Sequence, residues 1–216
     1  MAVDYDIVVK GNSLRLNEGY LALATLTLIH TENGPIMFDV GHAVNRECLV
    51  NALARHDLKP SNIPKVVLSH LHYDHVNNID LFPYSTKVYV SRAEWDYVEK
   101  PHENDPFVPW LVREQLQKYD LILLEGSGEL ESGVKFIPAP GHTPGSTAVV
   151  LDTEHKGRVV IAGDAVKFPK EALKCASDHA FDSPKAASQT IKHLLSIADR
   201  IVPGHFSEMV RQDGTF

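Results

Sequence analysis

Residues 69–76 read Ser-His-Leu-His-Tyr-Asp-His-Val, so three histidines and one aspartate crowd into the six positions 70–75. No regular element gathers all four. On a strand, His70, His72 and Asp74 would share one side and His75 would take the other. A loop can instead turn His70 and His72 toward one point and Asp74 and His75 toward another. Imidazole and carboxylate together suit zinc and also serve iron, manganese and cobalt. Two close cations need more ligands than this loop carries, and His142, Asp164 and His205 supply them from distant positions. A chain that uses these residues together must fold so that separate strand ends meet. The aliphatic run Lys65–Ser69 reads as a buried strand delivering the chain into His70, Val159–Ala162 precedes Asp164, and Arg200–Val202 precedes His205. His142 sits in Pro140-Gly141-His142-Thr143-Pro144-Gly145, between two strand-like runs. Loops at strand ends are where rigid scaffolds display functional groups.

The rest of the composition narrows the chemistry. The chain has 216 residues, 12 histidines and only two cysteines, Cys48 and Cys175. Two cysteines make neither a disulfide framework nor a thiolate metal site, so any metal is held by nitrogen and oxygen. The net charge of −7 repels polyanions at long range and argues against non-specific nucleic-acid binding. Met1–Asp6 lacks the basic region and apolar core of a signal peptide, and no apolar run approaches the roughly 20 residues that span a bilayer. The expectation is a cytoplasmic protein, with no membrane association and one domain over residues 1–216. Further strands are expected at Leu21–His30, Pro35–Asp39, Lys87–Val90, Leu121–Leu124, Val134–Ile137 and Ser146–Leu151. Helices are expected from Asn45 to about His56, from Ser91 to Val98 with Glu94 completing a capping box, from Val108 to Tyr119, and from Ser183-Pro184 to Ala198.

The seven candidate ligands in this order resemble the metallo-beta-lactamase superfamily, whose signature is His-x-His-x-Asp-His followed by a distant His, a distant Asp and a final His. The contexts Pro140–Gly145, Ala162-Gly163-Asp164 and Pro203-Gly204-His205 are also similar, and the likeness runs from about Tyr5 to His205. The resemblance implies an α/β fold, the four-layer αββα sandwich. It implies that His70, His72 and His142 bind one metal, that Asp74, His75 and His205 bind a second, and that Asp164 bridges them. Two divalent ions are implied, zinc first, with iron, manganese or cobalt as other choices. A hydroxide between them is the implied nucleophile. Asp74 is also the expected proton shuttle to the leaving group, and Asp39, in Phe38-Asp39-Val40-Gly41, is the expected outer residue orienting the site.

Within the superfamily, true β-lactamases lack the bridging aspartate, flavin-linked diiron proteins carry glutamate where this chain has His72, and glyoxalase II-like thioesterases append a helical region where eleven residues follow His205 here. N-acyl homoserine lactonases share the full ligand set and the Gly163-Asp164-Ala165 phrasing. They usually place a tyrosine where this chain has Lys167, which is therefore the candidate group for stabilising substrate oxygen. Small animal metallo-beta-lactamase-domain proteins resemble the chain at Gly34–Gly41, Asp80-Leu81-Phe82-Pro83 and Ala198–His205. The expected activity is hydrolysis of a small-molecule lactone or other carboxylic ester. The alternatives are a phosphodiesterase or ribonuclease, a thioesterase, a mononuclear-iron persulfide dioxygenase, and a metal-binding module without catalysis. The pocket walls are expected from Lys100–Phe107, Lys167–Phe181 and the region of Tyr84, with Phe107, Trp110 and Phe168 suited to an acyl chain. His30, His56, His155 and His193 read as structural or surface histidines. His42 and His102 read as surface residues close to the site, and His179 is left unassigned.

Overall fold

The computed structural model describes residues 3–216; Met1 and Ala2, part of the stretch read above for a targeting signal, lie outside the described residues. The first half of the chain runs through β1 (Asp4–Val9), β2 (Asn12–Leu16), β3 (Gly19–Leu23), β4 (Leu26–His30), β5 (Ile36–Phe38), α1 (Arg46–Ala54), β6 (Lys65–Val67), α2 (Tyr73–Val76), β7 (Lys87–Ser91), α3 (Arg92–Tyr97), α4 (Val112–Leu116) and β8 (Asp120–Leu124). The second half runs through β9 (Gly128–Glu131), β10 (Val134–Pro138), β11 (Thr147–Thr153), β12 (Gly157–Gly163), α5 (Pro169–Lys174), α6 (Pro184–Ile197), β13 (Arg200–Pro203) and β14 (Met209–Val210). Each half forms a six-stranded mixed sheet, ordered β1-β4-β5-β6-β7-β8 and β14-β13-β12-β11-β10-β9, and β2 and β3 stand apart as a hairpin.

Alternation of side chains along the strands stacks these sheets into layers. In β5, Ile36 and Phe38 enter the core between the sheets, while Met37 turns to the opposite face, as does Val66 beside Val67 in β6. In the second sheet Val149, Leu151, Val159 and Ile161 face the same central core, and Ala148, Val150, Val160 and Ala162 face outward. The outer face of the first sheet is covered by Leu49, Leu53, Trp95 and Leu116 from helices, and that of the second by Ala172, Ile191 and Leu194. Three apolar clusters separated by two sheets make the expected αββα sandwich. Ser183 caps α6, its hydroxyl accepting from the Ala186 amide at 3.1 Å, with Pro184 in the first turn as the sequence predicts. Among the described residues, no helix is long and apolar enough to cross a membrane.

Two expected elements differ. The strand read over Leu21–His30 is broken at Ala24-Thr25, where the chain leaves the hairpin and joins the sheet. There the Thr25 amide donates to the Gly204 carbonyl at 2.6 Å and the Thr25 hydroxyl to the Phe206 carbonyl at 3.1 Å, so local β-propensity yields to a tie with the loop carrying His205. The helix read over Val108–Tyr119 shrinks to α4, because Leu111 adopts a left-handed φ of 61° just before it.

Ile161 is 1% exposed at the centre of the inter-sheet core, and Ile161→Ala removes atoms that packing there cannot replace. Urea denaturation should show a loss of about 2–5 kcal/mol. A loss below about 1 kcal/mol would contradict its position between the sheets.

Candidate metal centre

All seven candidate ligands converge at one edge of the sandwich, and none is more than 7% exposed. His70 and His72 follow β6. The loop expected at 70–75 closes into α2, which begins after His72 and sets Asp74 and His75 in its single turn. His142 comes from the connection of β10 to β11, Asp164 follows β12, and His205 follows β13. The parallel neighbours β12 and β13 explain why Asp164 and His205 meet: Gly163 pairs with Pro203, so the two chains leave the sheet side by side. Gly204 is obligatory at this crossing, because a Cβ there would lie 2.1 Å from Asp164 Oδ1.

Each histidine ring is held from outside by one nitrogen. His70 Nδ1 meets the Ser69 hydroxyl at 2.9 Å, His75 Nδ1 meets Asp39 Oδ2 at 2.8 Å, and His72 Nε2 meets Asp105 Oδ2 at 2.9 Å. His142 Nδ1 donates to the His179 carbonyl, and His205 Nδ1 faces the carbonyls of Asn12 and Leu23, all at 3.0 Å. Such outer contacts fix ring orientation and raise ligand basicity.

The remaining nitrogens face inward in two groups. His70, His72 and His142 form one, and Asp74, His75 and His205 form another, with the ligand atoms of each set within 4.8 Å of one another. Asp164 lies between them. Its Oδ1 is 3.2 Å from His205 Nε2 and 3.3 Å from His75 Nε2, and its Oδ2 is 3.4 Å from His142 Nε2. His70 Nε2, His75 Nε2 and Asp164 Oδ1 are buried without a hydrogen-bond partner. An unsatisfied buried polar atom costs about 1–3 kcal/mol, so three orphans aimed at one volume fit a cation between them. The nitrogen and oxygen donor set fits a divalent transition metal.

The charges and burial of the side chains split the histidines. Burial, with neighbouring imidazoles, holds His70 well below its ordinary range, and burial with Lys167 does the same to His142. Burial also opposes charge on His75 and His205, but carboxylates outweigh it: Asp74, Asp39 and Asp164 raise His75 well above the ordinary value, and Asp164 and Asp74 raise His205. Asp164 is held well below the carboxylate range, because His205, His75 and His142 overcome its desolvation.

Asp39, expected as an orienting residue, takes that position. Its carboxylate accepts from the Ser69 amide at 2.7 Å, the Ser69 hydroxyl at 2.8 Å and His75. Two supporting carboxylates escaped the sequence. Glu94 was read as half of a capping box, and Ser91 Oγ does accept its amide at 3.0 Å. Its buried side chain instead joins two ligand loops, accepting from the Leu71 amide at 2.9 Å and the Thr143 hydroxyl at 2.6 Å. Asp105 binds His72, accepts from the Tyr97 hydroxyl at 2.6 Å and accepts from the Phe107 amide at 3.0 Å.

A cleft of about 300 Å³ opens onto the ligands. Phe107, Lys167, Phe168 and His179 line it, as expected for two of the three wall segments. The third is corrected: Tyr84 packs edge-on against Tyr119 at 5.1 Å and does not line the cleft, and Trp110 is 88% exposed and does not line it either. The missing wall is the β2–β3 hairpin, through Ser13, Arg15, Tyr20 and Ala22. The Lys167 ammonium is 3.1 Å from Glu171 Oε1 and 3.2 Å from the Ser177 hydroxyl, buried at the cleft side. His42 packs on Tyr73 at 5.1 Å, and the His102 ring accepts from the Asn104 amide at 3.1 Å; neither lines the cleft. His30 pairs with Asp6 at 2.8 Å, His56 lies beside it, and His155 and His193 are exposed.

A profile of the metallo-beta-lactamase superfamily matches residues 22–205. The chain belongs to this superfamily. The fold and its lactonase relatives make it a metal-dependent hydrolase. It is similar to an N-acyl homoserine lactonase of a Bacillus species, 31% identical with 85% of this chain and 81% of that protein covered. It is also similar to metallo-beta-lactamase domain-containing protein 1 of Rattus norvegicus, 28% identical over 91% of this chain and 71% of that protein. Among solved structures, a Bacillus thuringiensis AiiA variant with N-decanoyl-L-homoserine at its active site superposes with a TM-score of 0.73 at 21% identity, covering 94% of this chain and 92% of that one.

The raised His75 and His205 predict the pH behaviour of metal uptake. The carboxylates beside them make both rings hold a proton more tightly than an ordinary histidine, and a cation bound at these nitrogens would displace it. Adding zinc at pH 7 to metal-free protein should therefore release protons, and affinity should rise with pH. Titration calorimetry in buffers of different ionisation enthalpy reads the number released; zero would contradict the charge assignment. The sign for folding is opposite: these two groups stabilise metal-free protein below the unfolded value and lose that contribution as pH rises through the folded one.

Proposed function

We propose that the chain is a dinuclear hydrolase of lactones or other small carboxylic esters. The observation that carries this reading is the position of Asp164, with one oxygen toward His75 and His205 and the other toward His142. In this reading His70, His72 and His142 would hold one divalent ion, Asp74, His75 and His205 would hold the second, and Asp164 would offer one oxygen to each. Zinc is the metal of choice for the mixed imidazole–carboxylate set. A cation pair supplies two things when bound, a water acidified toward neutrality and a positive field for a carbonyl oxygen.

The chain's own residues do the rest. The outer contacts of the five histidines hold the ligand rings in place, so little reorganisation accompanies the reaction. Asp74 lines the cleft as well as facing His205 at 3.3 Å, which lets it carry a proton to the leaving alcohol. Lys167 is anchored by Glu171 and Ser177, which fixes its ammonium as a hydrogen-bond donor for a substrate oxygen, with its charge largely balanced by Glu171. Phe107, Phe168 and Tyr20 give the cleft apolar surface for an acyl arm.

Asp164→Ala should lose about one metal equivalent per chain and most activity, because ligand number sets affinity. Metal analysis after gel filtration checks this, and full retention of both ions would remove Asp164 from the bridge. Lactone hydrolysis is tested by assaying zinc-loaded protein on lactones, thioesters, phosphodiesters and short RNA. Lactones should give the highest turnover per metal. Higher turnover on RNA would replace the ester reading with a nuclease.

A further inference from the structure

The β2–β3 hairpin faces the cleft with its polar side. Ser13 pairs with Ala22 and Arg15 with Tyr20, and these four residues line the cleft. The alternate positions, Leu14 opposite Leu21 and Leu16 opposite Gly19, do not line it. Leu14, Leu16 and Leu21 are 51%, 55% and 40% exposed. A one-residue change of register would exchange the two faces, so the observed register selects which side meets the ligand. A hairpin that only covered an acyl chain would gain more by turning its leucines inward. This one instead sets an arginine, itself exposed to solvent, at the mouth of the cleft.

The other charges around the cleft are matched. Lys167 lies against Glu171 at 3.1 Å, and Lys170 against Asp178 at 3.1 Å. Asp74 and Asp164 face the ligand histidines. Arg15 is different. Asp178, already paired with Lys170, feels the Arg15 charge, but among the described residues no carboxylate lies within ion-pair distance of the guanidinium, which rests 5.7 Å from the centre of the Tyr20 ring. A guanidinium offers a planar fork of donors that matches a carboxylate, and lying over an aromatic ring leaves that fork open.

We propose that Arg15 is a substrate-recognition residue, binding a carboxylate on the arm of the substrate remote from the scissile ester. The preferred substrates are then half-esters or lactones with an acidic substituent, rather than esters with a plain hydrocarbon tail. This rests on the ester-hydrolase reading above and adds a substrate class to it.

The test separates binding from turnover. Zinc-loaded protein is titrated calorimetrically with succinate, glutarate and adipate and with the matched monocarboxylates butyrate, valerate and hexanoate. At least one dicarboxylate should bind about tenfold tighter than its partner, the effect of one charge-assisted fork. Arg15→Ala should erase that preference without changing metal content, and Arg15→Lys should restore part of it. An equal affinity for both series in the unaltered protein, or a preference that survives Arg15→Ala, overturns the assignment. In turnover, the mono-p-nitrophenyl ester of glutaric acid should show a KM rise of about tenfold in Arg15→Ala with kcat retained, while p-nitrophenyl valerate is unaffected. If neither ester is hydrolysed but the binding preference and its loss in Arg15→Ala are seen, the ester reading fails and the carboxylate site stands. If both are hydrolysed with no dependence on Arg15, the carboxylate site fails and the ester reading stands.

Discussion

Burying seven ionisable side chains at one sheet edge is the constraint from which the rest of this structure follows. Removing such groups from water is costly unless each gains a partner. The fold answers from two directions. On the outside, Ser69, Asp39, Asp105 and three main-chain carbonyls take one nitrogen of every candidate ligand histidine. On the inside, His70 Nε2, His75 Nε2 and Asp164 Oδ1 converge without hydrogen-bond partners, an arrangement that fits a cation. A metal bound there would offset the desolvation that folding imposes, and metal affinity would then be coupled to stability.

The same demand explains how the two sheets are joined. Ser69 lies just beyond β6, before the histidine loop, and its carbonyl accepts from the Thr147 amide of the second sheet at 2.8 Å. Gly163, just before Asp164, packs so closely that a Cβ there would lie 2.7 Å from Ser69 Cβ. Thr25 joins the His205 loop to the first sheet. Glu94 then ties the histidine loop to the His142 loop. A Cβ on Gly145 would lie 1.9 Å from the Glu94 amide, so these segments touch backbone to backbone. Ligands from remote positions stay in register because the segments carrying them are cross-linked at the edge.

Much of this was legible because its signals are local. Aliphatic runs placed β6, β12 and β13, and each was followed at once by a candidate ligand. Ser183-Pro184 announced α6, and the crowding at 70–75 announced the site. What was hidden depends on distance along the chain. Asp105 is 33 residues from His72, and Glu94 is 23 from Leu71. Nothing in their own neighbourhoods marks them: Asp105 sits in a polar loop, and Glu94 satisfies a helix-start pattern that accounted for it falsely. The hairpin wall was missed for another reason. Residues 12–16 carry no turn or ligand signal of their own, and only the fold shows that Ser13 and Arg15 stand at the cleft while Leu14 and Leu16 stand in solvent.

The outer contacts of His142 and His205 carry one further consequence. Their partners, the carbonyls of His179, Asn12 and Leu23, belong to the main chain of the segments that wall the cleft. A carbonyl is the same whatever side chain its residue bears. Mutation can therefore remodel the wall at these positions while the ligand rings keep their hydrogen bonds, provided the backbone path is preserved. In evolutionary terms the scaffold separates two inheritances at these positions: the orientation of the His142 and His205 rings is written in the backbone, and substrate preference is free to drift in the side chains around it.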